Sequence, residues 1–132
     1  MRGGPVILAC LALAACGAEE VVSVPAGEQA LLAMTAPEYL GVQSLAQQVA
    51  ANCADVSYDL GTAQRLTQQR TDAGRGGLSA LGLENAVAIE RDVAARSLMA
   101  RYQLTSLTQE TCSAANAEIL GETALGVLLK QA

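Results

Sequence analysis

Thr35-Ala36-Pro37-Glu38-Tyr39-Leu40-Gly41-Val42-Gln43-Ser44-Leu45-Ala46-Gln47-Gln48-Val49-Ala50-Ala51-Asn52-Cys53 is the stretch from which the fold can be read. It opens with Thr as N-cap, Pro in the first turn and Glu at the third helical position, a capping box. Apolar residues then recur at Tyr39, Val42, Ala46, Val49 and Cys53, one seam of a 3.6-residue period. Gln43, Gln47 and Gln48 fall mostly off that seam. The seam carries Cys53 toward the interior.

Downstream, Asp55 is placed to cap a second helix, with Val56, Leu60 and Ala63 on one stripe and Gln64, Arg65, Gln68 and Gln69 more exposed. It fades near Asp72 and is closed by Gly74-Arg75-Gly76-Gly77, the strongest breaker in the chain. A third helix is predicted from about Leu83 to Tyr102. Its apolar residues fall on two sides, Ala86, Ile89 and Val93 against Val87, Ala94 and Leu98, as in a helix sandwiched between neighbours. Asp92 and Arg96 are spaced for a weak intrahelical pair. Thr105 or Ser106 is placed to cap a fourth helix, with Cys112, Ala115 and Ile119 inward. Gly121 interrupts it, and Thr123 to Lys130 reads as a last apolar helical stretch, so residues 107–130 form one helix or two. The expected fold class is all-α: a small bundle of four to five helices stapled by one disulfide.

Composition agrees. A chain of 132 residues has room for one domain, and text rich in Ala, Leu, Gln and Glu with 3 prolines leans to helix. Phe and Trp are absent, so the core must come from Leu, Val, Ile and Ala. The formal charge is −5. An acidic, aromatic-poor chain lacks the basic patch and stacking platform of nucleic-acid binding, so no nucleic acid is expected as partner. The absence of His removes imidazole bases, Ser–His triads and His-ligated metals together.

The start supplies a compartment. One positive charge at Arg2, followed by Val6 to Ala15, fits the first two regions of a secretory signal. As a helix that run spans ~15 Å, half of a bilayer's roughly 30 Å core, so a permanent span is the weaker reading. Leu13-Ala14-Ala15-Cys16 resembles the lipobox of bacterial lipoproteins, in which the Cys becomes the first mature residue and carries acyl chains. Gly17 resembles the position that sorts such proteins to the outer membrane. Cys10 would leave too short an apolar run to serve instead. The expected division is a signal peptide over 1–15, a lipidated N-terminus and tether over 16–34 (with a short helix from Glu28 to Met34), and a helical domain over 35–132. The expected location is the periplasmic face of the outer membrane, anchored through acyl chains on Cys16, with a soluble periplasmic or secreted protein as the alternative.

Export makes the remaining cysteines informative. With Cys10 removed and Cys16 acylated, Cys53 and Cys112 are the only two left, and an oxidising compartment pairs them. Both lie on inward stripes. Closing a loop of this length stabilises by roughly 4 kcal/mol in chain-entropy terms. A redox-active Cys-x-x-Cys is absent, so the pair is expected to be structural.

The C-terminal text, Thr111-Cys112-Ser113-Ala114-Ala115-Asn116-Ala117-Glu118-Ile119-Leu120 and then Leu125-Gly126-Val127-Leu128-Leu129-Lys130, resembles an uncharacterised family of small exported alphaproteobacterial proteins. The likeness implies export and a helical domain with paired cysteines, and it carries no activity. The lipobox and the glycine-rich loop depart from it.

Candidate sites are few. Gly74 to Gly77 lacks the Lys-Ser/Thr and the preceding strand of phosphate-binding loops, and Gly77-Leu78-Ser79-Ala80 is a near miss to a nucleophile elbow, with no His to serve it. Asn52, Asp55 and Asn116, near the disulfide, form either a small polar pocket or ordinary partners for helix ends. Asp55 and Asp59 would share one helical face, the only footing for a carboxylate hydrolase. No catalytic residue, metal or cofactor is expected. The leading expectation is a lipid-anchored envelope protein acting by contact with a protein partner. A periplasmic small-ligand carrier is the alternative, opposed by the tight packing of Ala-rich helices.

Overall fold

A computed structural model describes residues 23–75, 82–108 and 110–132. The leader, Cys16 and residues 77–80 lie outside the described residues. In order come α1 (Ala26–Ala33), α2 (Ala36–Ala51), β1 (Val56–Tyr58), α3 (Leu60–Asp72), α4 (Glu84–Tyr102), α5 (Thr111–Leu120), one 3-10 turn (Gly126–Leu128) and β2 (Leu129–Gln131). The architecture is the expected helical bundle with one disulfide, plus a two-stranded antiparallel sheet.

α2 starts as its sequence dictates. The Glu38 N–H donates to Thr35 Oγ1 at 3.4 Å and the Thr35 N–H donates back to Glu38 Oε2 at 3.0 Å. Tyr39, Leu45, Ala46 and Val49 are buried, and Cys53 follows them inward. They pack with Leu31 of α1, Ala63 and Leu66 of α3, Ala95 and Leu98 of α4, Ala115 of α5, and Leu125, Leu128 and Leu129 of the tail. α1 is thus part of the core and overlaps the short helix expected from Glu28 to Met34, although residues 16–34 as a whole were expected to be the tether. It is fixed at one end by the Gly27 N–H donating to the Glu122 carbonyl at 3.0 Å. At its other end stand two arginines of the α3 region. Arg70 Nη1 donates to the carbonyls of Leu31 and Met34 at 2.9 and 2.8 Å, and Arg75 Nη1 to that of Ala33 at 3.1 Å. Cations there also complement the negative end of a helix.

Five sequence expectations need correction. Asp55 does not cap the second helix. Residues 56–58 are a strand and Asp59 is the cap, its Oδ1 accepting the Thr62 N–H at 3.1 Å. Thr105 and Ser106 do not cap the fourth helix, which starts at Thr111. Residues 123–130 do not form the expected α-helical stretch. Glu122 takes a left-handed φ of 49°, Gly126 begins the 3-10 turn, and Leu129–Gln131 pairs with β1 in the register Val56↔Gln131, Ser57↔Lys130, Tyr58↔Leu129. A Cβ on Gly126 would sit 1.8 Å from the Glu118 carbonyl oxygen, so the tail lies directly on the last turn of α5. Finally, α4 is not sandwiched. It packs on α2, closely enough that a Cβ on Gly41 would lie 2.8 Å from the Arg91 nitrogen. Its other face leaves Ile89 and Val93 62% and 55% exposed. Asp92 pairs with Arg91 rather than with Arg96.

Candidate functional site

Cys53 ends the turn after α2 and Cys112 lies in the first turn of α5, their Cα atoms 5.4 Å apart across 59 residues of sequence. Cys53 is buried and Cys112 half-buried. Asp55 Oδ1 stands 3.0 Å from Cys53 Sγ. With the disulfide formed that sulfur carries no proton, so this is a contact between carboxylate and sulfur, not a hydrogen bond. Asn116 Nδ2 donates to the Cys112 carbonyl at 3.1 Å and reaches Asp55 Oδ2 at 3.5 Å, and Gln131 Nε2 donates to Asn116 Oδ1 at 3.3 Å. Asn52 turns away and donates to the Gln48 carbonyl of its own helix at 3.1 Å. The fold therefore brings Asp55 and Asn116 together and leaves Asn52 out. Donor atoms of Cys53, Asp55 and Cys112 lie within 4.8 Å of one another, but both sulfurs are spent on each other.

Asp55 and Asp59 do not form a facing pair. They stand at opposite ends of β1, and Asp59 gives Oδ1 to the Thr62 N–H and Oδ2 to the Thr62 hydroxyl at 2.8 Å. Burial works against the ionised form of Asp59. The two Thr62 hydrogen bonds, with Lys130 and Arg65, outweigh it and hold the carboxyl below the usual carboxylate range.

Concave surface lies along α2 instead. A groove of about 380 Å³ between α2 and α4 is lined by Leu40, Val87 and Ala88 with Gln43, Gln47 and Arg91 among its polar groups. A second, of about 460 Å³, opens between α2 and α3. Its rim carries Gln43 and Gln47 from α2 and Gln64, Thr67 and Gln68 from α3, over Tyr58, Leu60 and Ala63. Both are open surface grooves, distinct from the large enclosed cavity that tight Ala-rich packing is expected to oppose. Tyr39 links the two helices beside the second groove: it is buried, and its hydroxyl lies 2.8 Å from Thr67 Oγ1 and donates to the Ala63 carbonyl at 3.2 Å. Burial pushes the Tyr39 phenol up, against opposing contributions from Thr67, Arg70 and Gln43. Tyr58 is raised by burial and by Tyr39, with Gln47 opposing.

Sequence reasoning took the four glutamines for solvated faces. Their i, i+4 spacing was visible, but that the two pairs face one groove depends on how α2 and α3 pack. It also missed Arg70 and the ion pair joining the buried Glu118 to Arg101. Among the described residues no helix is long and apolar enough to cross a membrane. In comparisons with known proteins the chain matches no family model, no curated protein and no solved structure. The lipobox likeness and the C-terminal likeness therefore stand on their residues alone.

Proposed function

We propose that this chain is a disulfide-stapled helical module that acts by contact with another protein of the cell envelope and is held at the membrane by acyl chains on Cys16. The observation that carries the contact reading is the pair of open grooves meeting along Gln43 and Gln47. Both lie on the most firmly capped helix of the bundle, stapled to α5 just beyond its end. Rigid elements displaying side chains around a shallow concavity suit recognition of a macromolecule. A hydrolase is disfavoured, since Asp59 is occupied as a cap and Asp55 sits at the disulfide. The second reading, a small-ligand carrier, draws on the groove between α2 and α4, whose volume of about 380 Å³ falls within the range of ligand pockets.

Two experiments test the proposal. A photo-crosslinking amino acid in place of Gln47 is expected to give one adduct of defined mass in intact envelopes, where the same group in place of the exposed Glu122 gives none. Equal labelling at both positions, or none at either, rejects the contact reading. Cys16→Ala is expected to move the protein from the detergent phase to the aqueous phase; a variant that stays with the detergent rejects the anchor.

A further inference from the structure

We infer that the groove between α2 and α3 holds an extended, uncharged stretch of polypeptide, whose main chain is read by the side-chain amides of Gln43, Gln47, Gln64 and Gln68. This rests on the contact reading above and names the chemistry of the partner.

Three observations lead there. The first is charge. Every residue lining this groove is neutral, in a chain with 13 acidic and 8 basic residues. Arg65 and Asp59 stand next to lining residues in sequence, yet neither joins the lining. An anion, a cation or a phosphate backbone would find no counter-charge here, whereas a neutral chain loses nothing by its absence.

The second is spacing. Gln43 and Gln47 are four residues apart on one helix, as are Gln64 and Gln68 on the other. At 1.5 Å rise per residue each pair is separated by about 6 Å along its helix. In an extended chain, peptide groups facing the same side recur every two residues, at about 6.6–6.8 Å. Each glutamine amide offers one acceptor oxygen and two donor hydrogens, which complement the C=O and N–H of a peptide group. Two such rows, one on each wall, suit a strand whose polar groups point alternately to left and right.

The third is support from beneath. Gln47 stands close enough to the Tyr58 hydroxyl, and Gln43 to that of Tyr39, for each to favour the phenolate against the larger effect of burial. Tyr39 is in turn fixed on Thr67, whose hydroxyl donates to the Ala63 carbonyl at 2.8 Å. Gln68 Nε2 donates to Asp72 at 2.9 Å, leaving its carbonyl oxygen as an acceptor. Leu60, 57% exposed, shares the lining with Ala63 and Tyr58 and offers apolar surface to the alternate side chains that point inward.

The test uses the full chain with its disulfide intact, ¹⁵N-labelled, and a capped uncharged heptapeptide of alternating threonine and valine. The peptide is expected to shift the side-chain amide resonances of these four glutamines. The paired change Gln47→Ala with Gln64→Ala is expected to weaken binding at least tenfold, with the backbone spectrum elsewhere unchanged. N-methylation of alternate peptide nitrogens, which removes donors without changing side chains, is expected to abolish binding. No shift at millimolar peptide overturns the inference, as does equal binding of the N-methylated peptide. Binding of an N-acetylglucosamine tetramer in place of the peptide would assign the groove to glycan and overturn it too. An adduct from position 47 in envelopes together with a silent peptide titration removes this inference and leaves the contact reading intact.

Discussion

The guanidinium of Arg70 stands 2.9 Å from the carbonyl oxygen of Leu31, and both residues are buried. Among the described residues it has no carboxylate partner within salt-bridge distance. Its charge rests instead on the carbonyl end of α1 and on the Tyr39 ring, whose centroid lies 4.6 Å from Cζ. Burial lowers its pKa, opposed by Tyr39, yet an arginine stays charged at any pH at which the protein is folded. Arg70→Met keeps most of the buried stem and removes the donors. It is expected to cost ~2–4 kcal/mol in urea unfolding, because the Leu31 and Met34 carbonyls lose a charged partner in a buried place. Amide exchange in α1 is expected to rise more than in α2.

Glu118 and Arg101 form an unequal pair. The glutamate side chain is 1% exposed and the arginine 52%. Removing the arginine leaves a carboxylate buried without its counter-charge; removing the carboxylate leaves an arginine that water can solvate. Arg101→Gln is therefore expected to destabilise by ~2 kcal/mol and Glu118→Gln by less. Equal losses in paired denaturant titrations would contradict this asymmetry.

Asp59 sets a pH dependence. Its pKa is depressed in the fold, so ionisation is more favourable there than in the unfolded chain, and the stability this gives is complete above the ordinary carboxyl pKa of about 4. It is lost as pH falls through the lowered native value. Asp59→Asn keeps an N-cap for Thr62 and removes the charge. The stability gap between wild type and variant is expected to be widest near pH 6 and to close as pH falls from about 5 toward 3, measured by urea unfolding at each pH.

The tail depends on one hydrogen. With a Cβ the residue at 126 would meet the Glu118 carbonyl oxygen at 1.8 Å, a backbone atom that cannot swing aside. Gly126→Ala is expected to cost at least ~3 kcal/mol. Gly61→Ala is the control, since a Cβ there meets only Asp59 Oδ1, at 3.6 Å, and its effect is expected to stay within ~0.5 kcal/mol.

Reducing the disulfide is expected to cost roughly 4 kcal/mol, the chain-entropy value for its 59-residue separation. The Asp55 carboxylate against Cys53 Sγ repels an attacking thiolate and disfavours a departing one. At ~4 Å in water this amounts to about 1 kcal/mol, or roughly fivefold in rate. Asp55→Asn is expected to speed reduction by dithiothreitol by that factor, and reduction by the cationic thiol cysteamine by less. An unchanged rate with both reagents would remove the role.

α2 was legible at its start and along most of its seam, which left out the buried Leu45 and took in the half-buried Val42. Its capping box, apolar seam and approach to Cys53 are local facts, each set within one or two turns of helix. The bundle class and the Cys53–Cys112 partnership were readable for similar reasons, one from composition and period and the other from the scarcity of thiols beside a leader-like start. What the text could not hold lies between distant parts. A three-residue strand at Val56–Tyr58 exists because Leu129–Gln131 supplies its hydrogen bonds, so neither segment carries a period of its own. The cap at Asp59, the one-sided packing of α4, and the burial of Arg70 and Glu118 follow from which helices meet. Gln43, Gln47, Gln64 and Gln68 look like four solvated positions until the packing of α2 beside α3, linked by the Tyr39 hydroxyl on Thr67, puts both pairs on one groove.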